Sequence, residues 1–291
     1  MRVGSRRREL LGIVGVLRVP YESPVSAAHF EAKVEERRSL GGGYFVLSVI
    51  ADAPTPIETA EPGQFVMLRG AWGRDLLNPR AFSVFEVMDD RRFSILAKVL
   101  GRGTARLAVA DPGACLTVTG PLGRGFPAPR SGRTQLLVAG GVGFPPLHFQ
   151  ARRAARAGTP ASVEVLYGGR GRDDLLLTDE LDAWRVPYAL ATDDGSVGVH
   201  GRVTDLLEAR LGAADQDGET VEILACGPTP MLQAVRTIGL ARGIDTYLCL
   251  EENMACGFGV CLGCAVPVHG PRPYRYCCTD GPVFDAKEVR W

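Results

Sequence analysis

The sequence predicts a multidomain β and α/β protein: a small antiparallel β-barrel, then a parallel-sheet domain with helices on both faces, then a small Cys-rich module. Three observations predict it. Short apolar runs separated by turn signals fill residues 28–129. Apolar strands alternate with helical stretches over 130–250. Five of the chain's 8 cysteines fall between Cys256 and Cys278. With 291 residues, 46% of them hydrophobic and 23% charged, the chain has enough apolar surface to bury for domains of this kind.

The composition also excludes classes of function. Lys+Arg and Asp+Glu both number 33, so the formal charge is zero, and no net field favours a nucleic-acid backbone or an anionic membrane. Aromatic residues are 7% of the chain, too few for a carbohydrate or single-strand stacking surface. No run approaches the ~20 apolar residues of a membrane span. Residues 1–27 read as a disordered extension. Arg6-Arg7-Arg8 followed by Leu10–Val19 loosely imitates a secretory signal, but Gly12, Gly15 and Arg18 interrupt the apolar stretch.

In the barrel segment the predicted strands are Phe30–Val34, Tyr44–Ile50, Gln64–Leu68, Ala81–Val87, Phe93–Val99 and Cys115–Thr119. They are separated by Gly41-Gly42-Gly43, Glu61-Pro62-Gly63, Asp89-Asp90 and Asp111-Pro112-Gly113. Pro127-Ala128-Pro129 to Gly132 reads as a linker. Beyond it, strands are expected at Gln135–Ala139, Val163–Tyr167, Pro187–Ala191, Val221–Ala225 and Asp245–Leu250. Helices are expected at Pro146–Ala157, Val203–Arg210 and Pro230–Arg242. Continuously apolar strands in this alternation belong to a parallel sheet covered on both faces.

The strongest chemical signal is Cys256-Gly-Phe-Gly-Val-Cys261-Leu-Gly-Cys264, with Cys277-Cys278 beyond it. C-x4-C-x2-C…C is the plant-type spacing for a [2Fe–2S] cluster. Gly257, Gly259 and Gly263 let the loop turn sharply and bring N–H groups towards the sulfurs. The competing reading is zinc, but zinc ribbons pair two C-x2-C knuckles and only one is present. A dense cluster of this kind also fits a reducing compartment, so a cytoplasmic protein is expected. Either Cys277 or Cys278 can supply a fourth ligand on spacing alone, since the interval after Cys264 is a variable loop.

Weaker signals accompany it. Gly140, Gly141, Val142 and Gly143 lie between an apolar strand and a helix, where helix N–H groups meet a phosphate in parallel sheets. The run is not the full G-x-G-x-x-G fingerprint, because Pro146 stands at the third glycine, and such glycines also simply pack helix on strand. Cys226, Gly227 and Pro228 follow another apolar strand. They form either a ligand loop or a tight turn with an inert thiol at Cys226. In the barrel, Arg80, Ala81, Phe82 and Ser83, then Leu96, Ala97 and Lys98, then Gly103 and Thr104, suit an anionic ligand and a short helix at its pyrophosphate. Taken singly they are equally ordinary strand ends. His29, His148, His200 and His269 show no metal spacing, and no Ser–His–Asp or paired-carboxylate arrangement is legible.

In their order along the chain these motifs resemble the ferredoxin-reductase superfamily, and within it the electron-transfer subunits of B-type dihydroorotate dehydrogenases. Arg80-Ala-Phe-Ser83 resembles the R-x-x-S flavin motif and Gly101-Arg-Gly103-Thr104 the G-x-G-T pyrophosphate motif. Gly120-Pro-Leu-Gly-Arg-Gly-Phe126 resembles the stretch that joins barrel and nucleotide domain. Gly140–Pro146 and Cys226–Pro228 resemble the nicotinamide-nucleotide loops, and Glu252–Cys264 with Cys278–Phe284 the cluster-binding tail. The resemblance runs from about Phe30 to Val289. It implies FAD in the barrel, NAD(P) on the α/β domain, and a [2Fe–2S] cluster on Cys256, Cys261, Cys264 and Cys278, the last because it directly precedes Thr-Asp-Gly-Pro. It further implies a partner catalytic subunit carrying FMN, a hetero-oligomer (a heterotetramer), and a place in pyrimidine biosynthesis. Related chains serve as diaphorase subunits of hydrogenases or of bifurcating transhydrogenases. A zinc-stabilised nucleotide-binding module is the reading from a different class. Two features stand outside the resemblance: the segment before about Ala28, and Asn78-Pro79 where a further basic residue precedes the arginine motif.

Overall fold

The computed structural model describes residues 27–73 and 76–291; the apolar run Leu10–Val19 lies outside the described residues. Seven antiparallel strands form the first sheet: β1 (Ala28–Gly41), β2 (Tyr44–Ala51), β3 (Phe65–Gly70), β4 (Arg80–Ser83), β5 (Glu86–Val87), β6 (Arg92–Lys98) and β7 (Cys115–Leu122). Their order is β4-β3-β7-β1-β2-β6-β5. The expected single strand Ala81–Val87 is divided. β4 pairs with β3 at one edge and β5 with β6 at the other. Between them Val84 N–H donates to Gln64 O and Phe85 N–H to Ser94 O. The chain thus steps from one sheet edge to the other and draws the barrel closed, which protects both edges. Alternate residues Phe45, Leu47 and Val49 of β2 and Phe93, Ile95 and Ala97 of β6 fill its interior. The short helix α1 (Arg102–Leu107) precedes β7.

The second domain holds β8 (Thr134–Gly140), α2 (Phe144–Arg156), β9 (Val163–Gly169), α3 (Thr178–Trp184), β10 (Tyr188–Thr192), β11 (Val199–His200), α4 (Val203–Asp217), β12 (Val221–Cys226), α5 (Thr229–Ala241) and β13 (Thr246–Cys249). These strands are parallel. Helices cover both faces, as the apolar runs require. Leu136 and Val138 pack in the cluster that holds α4 and α5 residues Leu207, Leu211 and Val235. Their neighbours Leu137 and Ala139 pack with α2 residues Leu147 and Ala151. Helix α2 opens on Pro145-Pro146, where missing N–H groups cost nothing. Helix α4 runs seven residues past the expected Arg210 and stops at Gly218, whose left-handed φ of 67° ends it.

The tail contributes β14 (Ala265–Pro267), β15 (Tyr274–Tyr276) and β16 (Val283–Asp285). β16 adds antiparallel to β13 and extends the α/β sheet to β11-β10-β9-β8-β12-β13-β16. Among the described residues no helix is long and apolar enough to cross a membrane.

The barrel and α/β domain meet at a buried polar seam. Arg152 of α2 donates to Glu180 of α3 at 2.9 Å and also pairs with Glu86 of β5. Its guanidinium lies 5.6 Å from the Phe85 ring and 5.0 Å from the Trp184 ring. His148 stacks on Phe85 at 4.6 Å, with Nε2 3.2 Å from Glu180. Burial pushes the His148 imidazole below its ordinary range. Burial alone would raise the Glu180 carboxyl, but His148 and Arg152 outweigh it and bring the pKa down to about 2 from 4.5. A carboxylate with a depressed folded pKa contributes stability that is complete above the unfolded value and is lost as pH falls through the folded one. Glu180→Gln is therefore expected to cost about 1–3 kcal/mol near neutral pH. Thermal melts should show the gap to wild type closing as pH falls from 4.5 towards 2; a gap indifferent to pH in that window speaks against this account of the seam.

Candidate functional site

The barrel rim and the carboxyl ends of the parallel strands enclose a cavity of about 310 Å³. Eight of the nine barrel residues expected at the flavin line it: Arg80, Ala81, Phe82, Ser83, Leu96, Ala97, Lys98 and Thr104. They converge because β4 and the end of β6 border the same opening. The ninth, Gly103, lies beneath Arg80: a Cβ there would meet the arginine Nε at 3.0 Å. Arg80 is oriented by bonds to the carbonyls of Asn78 and Pro79, and Thr104 Oγ1 accepts from the N–H groups of Leu100 and Gly101. The wall opposite is formed by Cys249, Leu250 and Glu251–Met254. The resemblance places Glu252–Met254 in the cluster-binding tail and not at this cavity; the signal for the wall is position, at the end of an apolar strand of a parallel sheet, where ligands bind. Burial raises the Glu251 carboxyl above its ordinary range, although its surface faces the open cavity.

A second cavity, about 400 Å³, lies over the ends of β8, β9 and β12. Gly140, Gly141 and Pro228 line it, together with Gly168, Arg170, Asp174 and Asp193. Val142 instead faces the first cavity, so one loop borders both. Gly143, Cys226 and Gly227 form the packing beneath. A Cβ on Gly143 would collide with the Cys226 carbonyl, which is why two strand-end loops can touch there. Gly227 is closed off by Met231. Cys226 is buried beside Cys249, its in-register partner on β13, and lines neither cavity. The glycine-rich floor bordered by a cation fits a dinucleotide, whose phosphates need close backbone approach.

The wall residues Glu251–Met254 lead straight into the cysteine loop. Cys256 and Cys261 Sγ lie 3.4 Å apart, and Cys264 and Cys278 Sγ 3.3 Å apart. Thiolates on one tetrahedral metal, with metal–sulfur bonds of ~2.3 Å, stand roughly 3.7 Å from each other. Among the described residues no three His, Cys, Asp or Glu side chains close on a single ion. Two pairs rather than one quartet fit a binuclear cluster better than a lone zinc. Gly257 takes φ +83°, and a Cβ there would meet the side chain of Met67. Backbone N–H groups support the sulfurs: Cys261 N–H donates to Cys256 Sγ at 3.4 Å, and the Gly263 N–H with the Cys256 thiol brings the Cys261 pKa down to about 7. Cys277 turns the other way. Its fully buried thiol donates to the Leu250 carbonyl at 3.2 Å, and burial raises its pKa.

Comparison with known proteins adds an independent line. Residues 251–290 match the iron–sulfur cluster binding domain of dihydroorotate dehydrogenase B, and residues 137–237 the oxidoreductase NAD-binding domain. The electron transfer subunit of dihydroorotate dehydrogenase B (NAD(+)) from Geobacillus thermodenitrificans is 41% identical over 79% of this chain and 86% of its own. The Aquifex aeolicus homolog of that subunit is 34% identical over 90% and 98%. Among solved structures, the NADH-dependent reduced ferredoxin-NADP oxidoreductase studied for flavin-based electron bifurcation superposes with a TM-score of 0.75 at 27% identity, covering 89% of each chain. The ferredoxin reductase of carbazole 1,9a-dioxygenase gives 0.65 at 26%, over 76% of this chain and 67% of its own. With its barrel-edge cavity, its strand-end cavity and its paired cysteines in that order, the chain belongs to the family of electron-transfer subunits of dihydroorotate dehydrogenase B.

Proposed function

We propose that the chain carries electrons between NAD and an FMN-containing dihydroorotate dehydrogenase subunit, through FAD and a [2Fe–2S] cluster, in cytoplasmic pyrimidine biosynthesis. The observation that carries this reading is the sharing of walls. The Gly140–Gly143 loop borders both cavities, and the strand-end segment Cys249–Met254 borders the flavin cavity and runs into Cys256. Bound FAD supplies the chemistry that exchanges electron pairs for single electrons, and the chain's own residues position and shield it. Arg80, Ser83, Lys98 and Thr104 hold the flavin, with Ala81, Phe82, Leu96, Ala97 and Gly103 shaping its bed. Gly140, Gly141 and Pro228 receive the nucleotide, with Val142 at the boundary between the two. Gly143, Cys226 and Gly227 set the floor. Cys256, Cys261, Cys264 and Cys278 ligate the cluster. The nicotinamide is NAD, as in the names of the curated relatives.

The cluster loop exposes three large apolar side chains around its cysteines, Phe258, Val260 and Leu262, at 55%, 73% and 53%. Such a patch supports docking of the catalytic subunit there, in a hetero-oligomer that we take to be a heterotetramer. A second reading, a diaphorase-type subunit of a bifurcating complex, is favoured by the TM-score of 0.75 alone; the 41% identity to a dihydroorotate dehydrogenase subunit favours the first.

The test is co-purification followed by assay. The complex is expected to reduce NAD+ with dihydroorotate, while the isolated chain reduces artificial acceptors with NADH and leaves dihydroorotate untouched. Dihydroorotate oxidation by the isolated chain would refute this division of labour.

A further inference from the structure

Between the two cavities lies a polar unit that neither the flavin motif nor the nucleotide loops explain. Asp174, in the turn after β9, has a side chain only 10% exposed. From the barrel, Tyr44 O–H donates to its Oδ1 at 2.8 Å and Lys98 Nζ donates to the same oxygen at 2.9 Å. Lys98 also donates to the Tyr44 hydroxyl at 3.1 Å. From the α/β domain, Arg170 Nε donates to Oδ2 at 2.8 Å and its Nη2 to Oδ1 at 3.3 Å. The backbone of the same turn is fixed as well: Tyr167 O–H donates to Asp174 O at 2.8 Å and stands 3.2 Å from Gly141 O. One carboxylate therefore gathers two cations and a phenol from both domains.

The position matters as much as the bonds. Lys98 lines the flavin cavity, whereas Asp174, Arg170 and Gly141 line the nucleotide cavity. Arg170 keeps 77% of its side chain exposed beside the nucleotide cavity although Asp174 grips it, so its guanidinium is held without being neutralised from solvent. Where the cavities adjoin, Lys98, Arg170 and Arg202 stand against Asp174 and Asp193, an excess of one cation suited to a ligand that carries phosphates. The hydrogen bonds from Arg170, Lys98 and Tyr44 keep Asp174 ionised well below the usual carboxylate range, against its own burial.

Resting on the functional reading above, we propose that Asp174 is a positioning residue that couples the two cofactor sites. It locks the barrel, through Tyr44 and Lys98, to the arginine that meets the anionic dinucleotide. Loosening the barrel side of this unit then weakens a ligand that the barrel side does not touch. Tyr44 is the cleanest probe, because it lines neither cavity.

The experiment is calorimetric titration of the FAD-loaded full chain with NAD+, with the change in the flavin absorption spectrum on NAD+ addition as a second readout. Tyr44→Phe is expected to weaken NAD+ about threefold and Asp174→Asn about tenfold, and the double variant should be no weaker than Asp174→Asn, since residues acting as one unit are not additive. The NAD+-induced flavin difference spectrum should shrink in both single variants, which a merely structural role would not produce. If Asp174→Asn fails to fold, Tyr44→Phe decides alone. Wild-type affinity in Tyr44→Phe, or multiplicative losses in the double variant, overturns the coupling while leaving the functional reading intact. A wild-type chain that does not bind NAD+ overturns both.

Discussion

Cys278→Ser is expected to remove most of the visible absorption of the cluster and nearly all electron transfer to the partner, while Cys277→Ser leaves both largely intact. The two residues sit in the turn that follows β15, and their side chains part there towards different partners. Cys278 Sγ approaches Cys264 Sγ at 3.3 Å, whereas Cys277 Sγ is spent on the Leu250 carbonyl inside the core. A serine at 277 keeps a donor for that carbonyl and costs only local packing. In Cys278→Ser the flavin should still be bleached by NADH, because the nucleotide and flavin cavities lie on the other side of the 251–254 wall. Absorption spectra and acceptor assays of the two variants check this, and the opposite pattern would shift the ligand assignment by one residue.

Arg80→Ala should cost the chain its flavin. Arg80 is the cation at the β4 edge of the larger wall, oriented by the Asn78 and Pro79 carbonyls and backed by Gly103. Loss of one charge-assisted contact costs about 1.5–3 kcal/mol, which is roughly one to two decades of affinity. The flavin-to-protein ratio after exhaustive dialysis measures it. Stoichiometric FAD in the dialysed variant would remove Arg80 from the binding site.

Much of this architecture is written in local sequence. Leu136–Ala139 and Ile223–Cys226 are apolar at every position because helices cover both faces of their sheet, and that pattern survives in one dimension. The cysteine spacing is equally legible, since a tight loop delivers three ligands in nine residues. What escaped depends on partners far along the chain. Ala81–Val87 reads as one strand, yet it changes sheet edge at Val84, and only closure of the barrel against Gln64 and Ser94 determines that. Helix α3 hides because it has only 7 residues and no side-chain cap announces it; Leu177 stands at its N-cap with φ 57°. The first strand outruns its expected end at Val34 and reaches Gly41, because β2 pairs with it throughout. The Asp174 unit carries no motif, and Glu252–Met254 carry one that points to the cluster and not to the cavity they wall. Unit and wall exist only where two domains meet, Tyr44 and Asp174 being brought together from 130 positions apart. Arg170 follows directly on β9, but nothing in the sequence marks the carboxylate four residues on as its partner.

That one chain exchanges electron pairs with a nicotinamide and single electrons with a partner is checked by anaerobic titration of the purified protein with NADH under visible spectroscopy. Uptake of about three electrons per chain is predicted, two into the flavin and one into the cluster, with both sets of bands bleaching. A colourless protein that holds zinc on its cysteines, or a coloured one that NADH cannot bleach, would contradict it.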